Sequence, residues 1–134
     1  QDRFTLHVEM LSLATHDLPQ ILQRREELDP TEIRKRVENS WEIQAKRLKA
    51  LGLNPVLNAR LPKEILNHES IISRSILRES AVLAKHYKLT ARSYLNLLRL
   101  SRTIADYAAQ ETITEDHLFE AALFLPRLKE GEVT

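Results

Sequence analysis

The chain contains no cysteine. Disulfides, thiolate metal sites and a cysteine nucleophile are therefore excluded. Glycine is almost as scarce, with only Gly52 and Gly131 in 134 residues. Sandwiches and barrels need many tight turns, and tight turns usually need glycine. Two isolated glycines also cannot build a glycine-rich phosphate loop, so this chain does not cradle a nucleotide and its magnesium ion by itself. No apolar run approaches the ~20 residues that cross a bilayer, and no membrane partner is expected. The N-terminus lacks the basic-then-apolar layout of a signal peptide, so the chain reads as cytoplasmic by default. An excess of one charge is missing too: 20 basic residues face 19 acidic ones. That balance neither demands nor excludes a nucleic-acid partner.

What is there is enough for one domain. Hydrophobic residues make up 43% and charged residues 29% of the sequence, a core and a solvated surface. Long amphipathic stretches without Gly or Pro point to an all-α helical bundle. The start without Met suggests a part of a longer protein.

Along the chain, residues 3–10 alternate, with Phe4, Leu6, Val8 and Met10 on one face of a strand. A lone strand needs a sheet to pair with, which would lie elsewhere in the protein. Residues 11–29 are weakly patterned, with a short helix possible over 17–27. The first strong helix starts at Asp29-Pro30, an N-cap followed by a first-turn proline. Its stripe is Ile33, Val37, Trp41, Gln44, Leu48 and Leu51, and it stops near Gly52. Pro62 can open a short helix through Leu66 and Asn67. A further helix spans about 70–87, with Ile72, Ile76, Leu83 and Tyr87 inward. Thr90 and Thr114 are N-caps, each bracketed by an apolar pair, Leu89 with Tyr94 and Ile113 with Leu118, in the hydrophobic-staple pattern. The two helices they open carry Tyr94, Leu97, Leu98, Ile104, Ala105 and Ala108, then Leu118, Ala121, Ala122 and Leu125, ending at Pro126. Trp41, Leu83, Tyr94, Leu98, Ile104 and Leu118 are the expected core. Residues 127–134 read as a polar tail.

Catalytic signals are weak. His7, His16, His68, His86 and His117 never fall at the i, i+4 spacing of a helical metal pair, and packed or solvated roles suit them. No strained nucleophile turn is visible. Glu26-Glu27 and Glu115-Asp116 read as solvated faces, the latter pair at the positive end of a helix. Arg92 stands out, because it falls in the first turn of a helix, where its guanidinium and the helix N-terminus could jointly receive a phosphate. On spacing alone an exposed surface arginine is the commoner outcome. Arg34-Lys35-Arg36, Lys46, Arg47 and Lys49 could form a basic face for DNA, or an ordinary solvated helix surface.

Several segments resemble one family in order. Asp2-Arg3-Phe4-Thr5-Leu6-His7-Val8-Glu9 resembles a stretch near the end of the ATPase core in magnesium-chelatase-like AAA+ proteins. Glu32-Ile33-Arg34-Lys35-Arg36-Val37 with Gln44 and Arg47, then Leu57-Asn58-Ala59, resemble further motifs of that family. So do Leu89-Thr90-Ala91-Arg92-Ser93-Tyr94 and Arg99-Leu100-Ser101-Arg102-Thr103-Ile104-Ala105-Asp106. The pattern resembles that of the ComM/YifB proteins, with Thr5 and Thr90 replacing the usual Asp and Ser. The resemblance implies an AAA+ C-terminal helical lid. Residues 1–10 would end the core strand, 11–29 connect, 30–126 form the lid and 127–134 the tail. It implies that Arg92 is the sensor-2 arginine, which contacts ATP phosphates, and that Arg3 is an arginine finger acting in trans. ATP and Mg²⁺ would be held by the parent's core domain, with no cofactor bound tightly by this chain alone. The partners implied are that core domain and neighbouring subunits of a hexameric ring. The motor would be of the DNA helicase or branch-migration type. The alternatives are a chelatase-type protein-remodelling lid, and a stand-alone helical DNA-binding or interaction module.

Overall fold

The computed structural model describes residues 6–8 and 29–126. The described residues form an all-α bundle: α1 (Pro30–Ala50), a 3-10 turn (Asn58–Arg60), α2 (Lys63–Leu66), α3 (Arg74–His86), α4 (Ala91–Tyr107) and α5 (Glu115–Leu123). α4 is the axis and touches every other element. Its Leu97, Leu98 and Ala105 are buried with Leu118, Ala121 and Ala122 of α5. Ile76 and Leu83 of α3 join them, with Leu61, Leu66, Ile71 and Ile72 from the connecting segments. Full burial of each leucine or isoleucine stabilises the fold by roughly 1.5–3 kcal/mol relative to exposure.

The helix starts follow the expected chemistry. The Asp29 carboxylate accepts the Thr31 N–H at 3.0 Å, and Pro30 opens α1. The Thr90 hydroxyl accepts the Ser93 N–H at 3.1 Å. At Thr114 the reciprocal half of the cap comes from a histidine: His117 Nδ1 accepts the Thr114 N–H at 3.0 Å. This gives His117 a structural task.

The helix ends explain how the chain manages with so little glycine. α1, α3 and α4 all close in the same way. The residue after the C-cap takes a left-handed conformation, and the next N–H reaches back to a carbonyl five residues earlier. These are Leu53 to Leu48, Leu89 to Ala84 and Gln110 to Ala105, at 2.8 to 2.9 Å. The left-handed residues are Gly52 (φ 74), Lys88 (φ 52) and Ala109 (φ 56). A Cβ on Gly52 would meet nothing within 4 Å, so its glycine is required by backbone conformation rather than by space. A non-glycine residue there, as at the exposed Lys88 and Ala109, costs roughly 1–2 kcal/mol. Ala109→Gly is accordingly expected to stabilise the chain by about 1 kcal/mol, after allowing for glycine's larger unfolded-state entropy. A melting temperature that falls in this variant would contradict the strain argument.

Several expectations are corrected. Trp41 is not in the core but 52% exposed. α1 buries Ser40, Gln44 and Leu48, and Trp41 lies one residue, about 100°, round the helix from Ser40. α3 begins at Arg74 with Ser73 as its cap, not near residue 70. The preceding residues are a turn in which His68 Nδ1 accepts the Ser70 N–H at 3.1 Å, and that turn delivers Ile71 and Ile72 to the core. α5 ends at Leu123, capped by Phe124, short of Pro126. Residues 6–8 have no strand pairing: the His7 N–H donates to the Phe124 carbonyl at 2.6 Å, while Leu6 and Val8 are exposed. The rest of the proposed strand, the possible helix over 17–27 and the tail lie outside the described residues. Among the described residues no helix is long and apolar enough to cross a membrane.

Candidate functional site

The site begins with the three arginines of α4, which the fold treats differently. Arg92 lies in the first turn of α4, just after the Thr90 cap, and is exposed. It stands at the positive end of the helix dipole, on a chain entry fixed by Leu89 and Tyr94, both packed against the core. Tyr94 is pinned further, its hydroxyl 2.9 Å from that of Ser80 on α3. An arginine held there has the geometry to meet an anion on a facing surface.

Arg99 and Arg102 turn inward instead. Arg99 donates to the Leu61 carbonyl at 2.9 Å. Arg102 is 1% exposed and fully occupied. Its Nε donates to Asp106 Oδ1 at 3.0 Å, and its terminal nitrogens donate to the carbonyls of Ile71, Gln110 and Glu111. Burial lowers its pKa from the ordinary arginine value, and the Asp106 carboxylate opposes that shift. Those three carbonyls belong to the turn before α3 and the loop before α5, so one guanidinium ties two connections to α4.

Asp106 is the centre of a larger network. It also accepts two bonds from Arg47 of α1, Nη1 to Oδ2 at 3.0 Å and Nη2 to Oδ1 at 2.5 Å. Asn58 Nδ2 donates to Asp106 Oδ2 at 2.8 Å, and the Asn58 N–H donates to Gln44 Oε1 at 3.0 Å. Gln44 Nε2 in turn donates to the Ser40 hydroxyl at 3.1 Å. This chain of bonds docks α1 and the 3-10 turn on α4. Among the described residues, no buried side-chain nitrogen or oxygen lacks a partner. A fully satisfied network of this kind holds one relative placement of helices, because each alternative leaves a buried polar group unpaired.

Sequence reasoning set Arg99 and Arg102 only within a family motif, and the structure ties both into the bundle. It missed the Arg47–Asp106 pair. Arg102 and Asp106 stand at i, i+4, a spacing that signals a pair on one helix. Arg47 and Asp106 are 59 residues apart, and only the packing of α1 on α4 unites them. Arg47 is also unavailable to the basic face considered above. Arg36 of that face is partly engaged, 3.5 Å from Glu32 and stacked 5.9 Å from the Tyr107 ring centroid. Arg3 lies outside the described residues. Among the described residues, no group of three or more His, Asp or Glu side chains could hold a metal ion.

The family model described as Magnesium chelatase, subunit ChlI C-terminal matches residues 28–124. The chain belongs to this family. The match starts one residue before the Asp29 cap and ends at the Phe124 cap of α5, so it spans all the helices of the bundle. No curated protein matches the sequence. Six of the side chains through which the sequence resembles the magnesium-chelatase-like proteins meet in one place. Gln44, Arg47, Asn58, Arg102, Thr103 and Asp106 all belong to the buried network. In this member of the magnesium chelatase C-terminal family those six residues therefore serve architecture. Arg92, in the first turn of α4, is an exposed motif arginine outside that network, as are Arg34 and Arg36 of α1.

Proposed function

We propose that the chain is the C-terminal lid of a ring-forming AAA+ ATPase. In this reading Arg92 is a sensor-2 arginine that reaches ATP phosphates held by the core domain. Arg3 is an arginine finger that completes a neighbouring subunit's site. The observation that carries the reading is the exposed Arg92 at the start of α4 in a chain of the magnesium chelatase C-terminal family. ATP and Mg²⁺ are bound by the core, and what this chain supplies is positive charge at a fixed place. The network around Asp106 keeps α1 and α4 moving as one body, so a contact made at Arg92 is transmitted to the whole lid. ATP that bridges core and lid favours a closed arrangement, and hydrolysis releases it, which gives the ring a motion to use.

The resemblance to ComM/YifB proteins favours a motor acting on DNA. The match to the chelatase C-terminal family favours a second reading, a motor that remodels a protein. DNA-stimulated ATP turnover by the full-length assembly distinguishes the two.

The test of the central claim is paired. Arg92→Ala in the full-length assembly is expected to weaken ATP binding or hydrolysis on the order of tenfold or more, as removal of a phosphate-directed donor does. The same change is expected to leave the melting temperature of the 134-residue chain nearly unaltered, because exposed charges contribute little to stability. Arg102→Ala should show the opposite balance. A lid destabilised by Arg92→Ala, with ATP turnover intact, would make Arg92 a structural residue and end this reading.

A further inference from the structure

An apolar cleft of about 300 Å³ opens between α3 and α5 and plays no part in the nucleotide reading. Leu83 and Leu118 are its buried lining, and Val82 and Phe119 line it as exposed residues. Leu123 follows Phe119 by four residues, which extends the same face of α5. Val82 and Leu123, at 67% and 66%, are the most exposed large hydrophobic side chains among the described residues. The core includes neither of them, nor Phe119. Apolar side chains left out of the core singly are ordinary, but grouped on one face they mark an interaction surface. The charge around this strip has one sign. Glu79 and Glu115 line the cleft, and no lysine or arginine does. α5 adds the exposed Asp116 and Glu120 and contains no lysine or arginine. Arg78 and Lys85 of α3 stay outside the lining. Each lies one residue, about 100°, round the helix from a residue that belongs to it, Glu79 and His86.

This combination selects a partner by its chemistry. Nucleic acid or an anionic membrane would bring like charge against the carboxylates. An extended peptide has no sheet edge to join here, because both walls are helices. A third helix fits, since its side chains can enter the channel between two others. We propose that the α3–α5 groove docks a basic amphipathic helix of a partner protein. Its apolar residues, at i, i+3 or i+4 and i+7, lie against Val82, Phe119 and Leu123. Its lysines or arginines flank that stripe and meet Glu79, Glu115, Asp116 and Glu120. α5 has nine residues, about 13 Å of helix, so the contact runs over roughly two and a half turns. The apolar anchors supply most of the attraction, and the carboxylates choose the partner and orient it. The surface would thus discriminate against phosphate, the opposite of what is proposed for the start of α4. This inference does not rest on the role of Arg92.

The probe is a fluorescent synthetic peptide of leucine and lysine, about four helical turns long, with leucine at i, i+3, i+4 and i+7. A counterpart carries glutamate in place of every lysine. Both are titrated with the 134-residue chain by fluorescence anisotropy at physiological ionic strength. The lysine peptide is expected to bind about tenfold or more tightly than the glutamate peptide. Phe119→Ser and Val82→Ser, exposed positions on two different helices, should each weaken it by about tenfold or more, with helical circular dichroism retained. The double variant Glu79→Lys with Glu115→Lys should reverse the preference, so that the glutamate peptide binds the better. The control Glu38→Lys with Glu42→Lys, two exposed carboxylates of α1, should leave the affinity within about twofold. Four results each overturn the proposal: no binding of the lysine peptide, equal binding of both peptides, binding indifferent to Val82 and Phe119, and dimers of the chain that Phe119→Ser dissolves while the peptide stays unbound.

Discussion

Thermal unfolding of the Asp106→Ala chain is expected roughly 12 °C or more below that of the unsubstituted chain. Asp106 is 0% exposed and is the acceptor on which Arg47, Arg102 and Asn58 converge. Removing it leaves two guanidinium groups close together with no anion between them, one of them 1% exposed and the other 13% exposed by its side chain. Loss of one partner from a buried ion pair costs about 3–5 kcal/mol, chiefly from the uncompensated charge left behind. For a domain of this size each kcal/mol moves the midpoint by roughly 4 °C or more. Arg47→Ala should cost distinctly less, because Arg102 and Asp106 then remain as a neutral, hydrogen-bonded pair. Asp106→Asn should recover little, since it keeps the shape but removes the charge. Thermal melts of the three variants decide the matter. If Arg47→Ala and Asp106→Ala were equally mild, the network would not rest on its carboxylate.

The second large effect concerns Arg3 in the full-length ring. Under the proposed reading, Arg3→Ala is expected to reduce ATP turnover by roughly 10³-fold or more while nucleotide affinity stays close to its original value. An arginine finger neutralises charge that develops on the transferring phosphoryl group, so its loss falls on the transition state rather than on binding. The finger acts across a subunit boundary. Mixing the Arg3→Ala protein with subunits unable to bind phosphate should therefore restore part of the activity. A purified Arg3→Ala assembly with unaltered turnover, or one that has lost nucleotide binding to the same degree as turnover, would remove Arg3 from the mechanism.

Much of the architecture is written in local patterns. Asp29-Pro30, Thr90 and Thr114 mark helix starts because capping depends on residues within three positions of each other. The stripe Leu118, Ala121, Ala122 and Leu125 is buried throughout, as its period requires. The end of α1 at Gly52 was legible for the same local reason, whereas the equivalent ends at Lys88 and Ala109 were not. There the left-handed backbone runs against the residue's own preference, and the helix ends are closed by backbone bonds from Leu89 to Ala84 and from Gln110 to Ala105. Trp41 was misread because its stripe crossed a polar interface. α1 meets the bundle through Ser40 and Gln44 as well as Leu48, and hydrophobic periodicity cannot follow a face that is partly polar.

The candidate site divides in the same way. Its outward arginine could be picked out from the sequence, since a cap, a staple and an Arg two residues after the cap lie within one helical turn. The inward network could not, because its members come from α1, the 3-10 turn and α4 and meet only after folding. The sequence by itself determined the helical class, the places where helices begin and the position of Arg92 in a first turn, all of which depend on near neighbours. Only the tertiary structure decided which cations are buried and which are presented outward. Arg102 found Asp106 and three carbonyls, Arg47 found the same carboxylate from 59 residues away, and Arg92 remained at the surface. A charge enters the interior only where opposite charge and hydrogen-bond acceptors converge on it, and that convergence belongs to the packed fold.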